Sequence, residues 1–491
     1  MEQPNAFFAF ALVGFCVVAV VASLRLGARR GMLAALLGGT LLLPVFDATA
    51  GVPLLRTKAM FVAGVVLATS LALDARRWSR LRPSLLDLPM LVLCAVAYLS
   101  GTENDLGAYE ALAAVFASLL VFGGPYLLGR LYLGGPEGLA DLADAVVLAG
   151  LAYVPLCLWE VRMSPQLHRQ LYGYGATKVF AQNVRFGGYR PLVFMNHGLM
   201  VALFMASATL VAWWLWRTRA RSSLVGLPLW AITAALGVTT LLCKSTGAVG
   251  LLLIGIAALE GTRWLKTPLL ILALAAVPPA FCAARLAGWS AEGLVAASAR
   301  AVDADRAQSV QFRIQNEDAL AARALERPLL GWGRWGRSRI RDQAGKELAI
   351  TDSLWIITLG ENGLVGLVAL GLMLGLPALL LLRAAPARRW AEPGVAAAAA
   401  LAMVGIIGEL DDLLNTMATP VAFAIAGALV SVWWARRAAL AHPAAPAVGP
   451  RRAALVVQGA PAGSPGTAWR PEGLAAWAVG GRQVGGWRDV T

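Results

Sequence analysis

The sequence predicts an all-α polytopic membrane protein of about 12–13 transmembrane helices, with a long, partly helical extracytoplasmic loop before the last three spans. Three observations predict it. Of 491 residues, 58% are hydrophobic and 14% charged, so the bilayer is the solvent for most of the surface. Apolar runs near the roughly 20 residues that cross a hydrocarbon core recur along the chain, separated by short charged clusters. The short basic connections all fall on one side, the arrangement that orients a helical bundle, whereas a β-barrel would show shorter alternating segments.

Taken in order, the apolar runs fall near residues 6–24, 31–50, 59–73, 84–100, 111–129, 139–158, 191–215, 223–243, 246–262, 267–284, 354–382, 394–410 and 417–434. The first has no basic residue before it and Arg25, Arg29 and Arg30 after it, which reads as a retained span and not a cleaved leader. With the N-terminus outside, six basic connections lie on the cytoplasmic side: Arg25 to Arg30, Arg76 to Arg82, Arg217 to Arg221, Arg263 to Lys266, Arg383 to Arg389, and Arg436 with Arg437. The opposite face then carries the acidic connections Glu103 to Glu110 and Glu409 to Asp412, with two long segments, 159–190 and 285–352. The longer segment holds about ten arginines, and long loops translocate regardless of charge. Within it residues 291–327 have helical composition, and Arg306, Val310, Arg313 and Glu317 form one stripe.

The expected organisation is a first membrane block, 1–284, of about ten spans with the outer loop 159–190; the long loop 285–352; the last three spans, 353–437; and a tail, 438–491. After Pro443 that tail is rich in Pro, Ala and Gly with scattered Arg and Trp, and is expected to be disordered in the cytoplasm. No inverted-topology repeat is visible.

The net charge of +14 would suggest nucleic acid in a soluble chain, but the arginines sit mainly at helix ends, and no nucleic-acid partner is implied. Cys16, Cys94, Cys157, Cys243 and Cys282 all fall in apolar runs without paired spacing or a histidine cluster. They read as small buried side chains, neither disulfides nor metal ligands.

Potential chemistry is densest in PLLGWGRWG (328–336) and TDSLWIITLGENGLVG (351–366). This stretch resembles the signature of the O-antigen ligase and O-antigen polymerase superfamily, in which a PLLGxGxG-like turn precedes His-Asn, and a Glu-x-Gly-x-x-Gly follows about nine residues on. Glu361, Gly363 and Gly366 match that spacing, while Asp352 and Ser353 stand where the family usually has His and Asn. Arg313 fits the family's loop arginine, and CKSTGA (243–248) is similar to its Ser-Arg-Gly-Ala element. The match covers about a quarter of the chain.

The resemblance implies transfer of a glycan from a polyprenyl-diphosphate-linked donor to a sugar hydroxyl, on the outer side of a bacterial inner membrane, inverting, with no cofactor and no metal. The implied partners are that donor, a glycan or glycolipid acceptor, the lipid bilayer and other polysaccharide-assembly proteins. Arginine pairs with a diphosphate through a planar fork that keeps its charge, and a carboxylate can take the acceptor's proton. On that basis Asp352 and Arg313 are the catalytic candidates, and Arg190, His197, Lys244, Arg306, Trp335 and Glu361 the substrate-binding candidates.

Each has a structural alternative. Asp352 also reads as a helix N-cap, Arg313 and Arg306 as a solvated face paired with Glu317 and Asp305, and Lys244 as a snorkelling cation. Arg190 and His197 flank the start of a span, and Trp332, Trp335 and Trp355 suit an interfacial belt. Gly331, Gly333 and Gly336 suit either a tight turn or a phosphate-facing one, and Glu409, Asp411 and Asp412 the end of a span. Two other functions stay open: a transporter or flippase of a lipid-linked or anionic substrate, and a catalytically silent scaffold in polysaccharide assembly.

Overall fold

The structure, a computed structural model, describes residues 3–47, 55–177, 180–291, 293, 296, 304–334, 336–350 and 352–441, without the side chains of 304–307, 309, 310 and 434–441. The tail from 442, Trp335 and the side chains of Asp305 and Arg306 lie outside the described residues.

The described chain is an all-α bundle with two small β-hairpins, and ten of its helices are long and apolar enough to cross a membrane. In order these are α1 (Ala6–Leu26), α3 (Lys58–Trp78), α4 with its first turn (Leu85–Glu103), α5 (Gly107–Leu133), α6 (Pro136–Met163), α8 (Gly198–Arg217), α10 (Thr246–Leu265), α11 (Leu269–Leu286), α13 (Leu354–Ala384) and α14 (Pro393–Asp411). Between them lie the shorter α2 (Ala28–Leu42), α7 (Leu167–Tyr172) and α9 (Leu229–Leu242); α12 (Ala304–Leu325) belongs to the long loop, and α15 (Pro420–Ala441) closes the bundle.

The expected spans at 31–50 and 223–243 are too long. α2 ends at Leu42, just before Pro44, and residues 223–228 form a hairpin turned by Val225 and Gly226, both at positive φ. Fifteen helical residues reach about 22 Å, short of a 30 Å core. The segment expected as an outer loop from 159 begins inside α6, which runs on to Met163 and so contains Glu160.

Ion pairs divide the connections between two faces. Arg29 and Arg30 meet Asp141, Arg221 meets Asp144, and Arg217 meets Glu260, which gathers several short basic connections at one end of the bundle. At the other end Arg190 bonds the Lys244 carbonyl, Asn104 the Gly331 carbonyl, and Thr416 the Asp352 carbonyl. That end holds the described parts of both long segments.

α13 departs most from expectation. Its 31 residues would extend about 46 Å, half again a hydrocarbon core, and the chain breaks at Gly363, where φ is +62° and ψ −165°. A Cβ on Gly366 would stand 2.3 Å from Asn362 Cβ and 3.6 Å from Thr358 Cγ2. Residues four apart on a straight helix keep about 5–6 Å between Cβ atoms, so the chain kinks sharply here. A short arm, 354–362, leads into the long arm, 364–384.

Candidate functional site

Glycines hold the break open. The Leu364 and Val365 N–H groups, freed by the kink, donate to the carbonyls of Pro328 (2.7 Å) and Leu329 (3.3 Å). On the other side, Trp332 N–H and Gly333 N–H donate to the carbonyls of Gly360 (2.8 Å) and Glu361 (3.0 Å). The PLLGWG segment thus plugs the gap in the helix, because buried backbone groups must find partners. A Cβ on Gly331 would meet Glu361, Asn362 and Gly363 backbone at 2.7–2.8 Å, and one on Gly363 the Leu329 oxygen at 2.2 Å. The two halves of the motif are therefore parts of one interlock. Of the two readings of its glycine turn, the structural one describes the N–H groups of Trp332 and Gly333, which face backbone carbonyls.

The short arm starts at Asp352 and Ser353. Asp352 Oδ2 lies 3.4 Å from Arg313 Nε of the loop helix α12, and Thr416 donates to the Asp352 carbonyl at 2.6 Å. The side chains of Arg313 and Asp352 are 25% and 38% exposed, so the pair remains open to a substrate. Asp352 accepts no cap bond from the helix that follows; the Leu354 N–H donates instead to the carbonyls of Asp412 and Asn415. Glu317, which the sequence offered as a partner for Arg313, turns elsewhere. It is buried, accepts from Ser353 Oγ and from Trp355 Nε1 (3.3 Å), and lies 3.8 Å from Arg285. Burial pushes its carboxyl above the ordinary value, opposed by those hydrogen bonds and by Arg285.

His197 joins this pair to the other long segment. Its Nδ1 accepts from the Leu199 N–H at 3.1 Å as the N-cap of α8, so the neutral ring carries its proton on Nε2. Burial, and after it the charges of Arg190, Arg313 and Arg185, lower its pKa to about 4, against the opposing pull of Asp352. Five side chains from three segments therefore share one electrostatic neighbourhood.

His197 is consequently neutral at pH 7. Below pH 6.5 the unfolded chain takes up a proton that the folded chain refuses until about pH 4, so stability falls with pH across that window. His197→Asn, which keeps a capping oxygen, is expected to abolish that slope, on the order of 1–3 kcal/mol between pH 7 and 4.5. Melting curves of both proteins at the two pH values test this; equal losses would contradict it.

The segment bearing Arg190 and His197 is braced from below by residues the sequence reading passed over. Glu160 accepts from the N–H groups of Leu192 and Val193, both at 2.7 Å, and from Leu167 at 3.0 Å. Lys58 Nζ donates to the Phe194 carbonyl at 2.8 Å. A charged residue at the edge of an apolar run was the only signal for both. Glu160→Ala would leave three N–H groups without their acceptor and is expected to lower stability by about 3 kcal/mol or more. A thermal-unfolding measurement in detergent checks this, and an unchanged midpoint would exclude the brace.

Arg185 was also passed over. It lies on a hairpin, Val184–Arg185 paired with Gly188–Tyr189, whose turn residues Phe186 and Gly187 both have positive φ. Arg190 is buried and donates to the Lys244 carbonyl at 2.9 Å. Lys244 Nζ reaches the Phe186 carbonyl at 3.5 Å, so this lysine supports the hairpin. Glu361 stands apart from Asp352. It faces Arg334 at 3.8 Å, with Arg334 donating to Ser118 and Ser100 donating to the Glu361 carbonyl.

The five cysteines are free thiols, and among the described residues no cluster of three or more His, Cys, Asp or Glu side chains could hold a metal ion. The carboxylates of Glu409 and Asp412 line an apolar cavity of about 80 Å³ among α8, α13, α14 and α15. No family model matches the chain, and no curated protein matches it either.

Proposed function

We propose that the chain is a membrane glycosyltransferase that passes a glycan from a polyprenyl-diphosphate carrier to a sugar hydroxyl on the outer side of a bacterial cytoplasmic membrane. The observation that carries this reading is the half-exposed Arg313–Asp352 pair, 3.4 Å apart, with Arg190, Arg185 and His197 within reach of its charges. In it the chain crosses the membrane 13 times, counting α15 and the shorter helices α2 and α9, which span where the bilayer thins around them, with the basic connections cytoplasmic.

Arg313 and Arg185 give the diphosphate oxygens charge-assisted hydrogen bonds that strengthen as the glycosidic bond breaks, and buried Arg190 adds its charge from behind them. The acceptor oxygen forms its bond to the anomeric carbon from the opposite side, its proton goes to the Asp352 carboxylate, and the polyprenyl diphosphate leaves with the bonding pair. Configuration is inverted. His197, neutral with Nε2–H, supplies a further donor. The positive charge at the site comes from the arginines, so the reaction is proposed to need no metal. Extension of a polymer and ligation to a final acceptor use the same chemistry.

The experiment is reconstitution of the purified chain with a polyprenyl-diphosphate oligosaccharide and an oligosaccharide acceptor, in the presence of a chelator. Polyprenyl diphosphate is expected to appear in step with the enlarged glycan, and Arg313→Ala to slow it by about 10²-fold. A second reading, transport of the lipid-linked donor, is favoured by the broken helix at Gly363 and the buried Glu409. Movement of intact donor between leaflets without diphosphate release would decide for it.

A further inference from the structure

Glu317 is a buried carboxylate of the long loop to which the transfer chemistry gives no part. Its partners come from two other places in the chain. Ser353 and Trp355, at the start of the short arm, donate to Oε1. Arg285, at the end of α11, lies 3.8 Å from Oε2, an oxygen with no hydrogen-bond partner. Arg285 itself is engaged more closely by Asp318 (2.8 Å) and by the carbonyls of Trp289 (2.7 Å) and Ile314 (3.1 Å).

We infer that Glu317 is a positioning residue, which clasps the loop helix onto the short arm and so sets the Arg313–Asp352 pair, by accepting hydrogen bonds and not by its charge. The register of both elements supports this. Arg313 and Glu317 are four residues apart and share one face of α12, while Asp352 and Ser353 are neighbours. Binding Ser353 at Glu317 therefore brings Asp352 one helical turn away, opposite Arg313. Turning α12 by a single residue would rotate Arg313 about 100° out of line. The operative donors, a hydroxyl and an indole N–H, are neutral, and Asp318 answers the charge of Arg285. A glutamine would offer the same acceptor, and its amide nitrogen would replace an oxygen that bonds nothing.

The inference rests on the transfer reading for the role of Arg313 and Asp352, so its test has an arm independent of activity. Amide hydrogen exchange is measured over 308–325 and 352–360 in the full-length chain, for wild type, Glu317→Gln, Glu317→Ala and Ser353→Ala. The alanine variants are expected to exchange about tenfold faster in those segments, with the rest of the bundle unchanged and Gln within about twofold of wild type. In the transfer assay, kcat should fall about tenfold or more for both alanine variants and be restored within about threefold by Gln. Ser353→Ala removes one donor only and serves if Glu317→Ala fails to accumulate. Unchanged exchange in the alanine variants overturns the clasp, and a Gln variant as impaired as Ala overturns the neutral mechanism. If wild type transfers nothing, the proposed function fails while the exchange arm still judges the clasp.

Discussion

Gly363→Ala is expected to abolish the monodisperse folded protein, whereas Gly371→Ala, eight residues on, should leave it intact. The conformation at Gly363, φ +62° and ψ −165°, belongs to a region open essentially to glycine alone. Its added methyl would also lie 2.2 Å from the Leu329 oxygen, an atom held by the Val365 N–H and unable to retreat without opening the plug. The two effects together amount to on the order of 4 kcal/mol, a large fraction of a domain's stability. A Cβ on Gly371 would find nothing within 4 Å. Size-exclusion profiles and melting midpoints of the two variants in detergent give the comparison. A Gly363→Ala protein as stable as Gly371→Ala would mean that the helix is not broken there.

The second large effect concerns rate. Asp352→Asn keeps the size of the side chain and removes its capacity to take a proton, and is expected to reduce transfer by about 10²–10⁴-fold at normal membrane abundance. Asp352→His restores a group able to accept that proton and should recover a substantial part of the rate, with a new dependence on pH near the histidine pKa, around 6.5. Polymer or glycoconjugate output in a null strain complemented with each variant reads the same effects in cells. Full output from Asp352→Asn would remove this carboxylate from the mechanism and favour transport or scaffolding.

The apolar runs revealed most helices, since composition alone decides which segments can lie in lipid. Their breaks were less legible. Residues 354–382 read as one span because apolar character is continuous through Gly363, although 29 residues already exceed the length a bilayer needs. The glycines of PLLGWG and of Glu-x-Gly-x-x-Gly were visible as a pattern, yet only coordinates reveal that one fills the gap in the other. Motif reading brought out Asp352 and Arg313, which stand 3.4 Å apart, together with Glu361, which stands nine residues from Asp352 at the opposite end of the short arm; Arg190 and His197 were legible only as residues flanking the start of a span. Glu160 and Lys58 escaped because each reads from sequence as the edge of an apolar run. Arg185 escaped because only the hairpin turn at Phe186 and Gly187 brings it towards the others.

The plug at Gly363 also constrains the order in which the protein can be completed. Its segments are close in sequence, Pro328 to Val365, but it docks on a far older part of the chain. Ser100 donates to the Glu361 carbonyl, and Asn104 donates to that of Gly331 while accepting from Arg327. The end of α4 therefore waits, uncapped by its final neighbour, while more than two hundred further residues are synthesised. The long loop and the start of α13 must both reach that end of the bundle before the plug can close. Closure of the plug is thus a late event, and nascent chains arrested before residue 366 should leave the Ser100–Asn104 end of α4 open to labelling reagents.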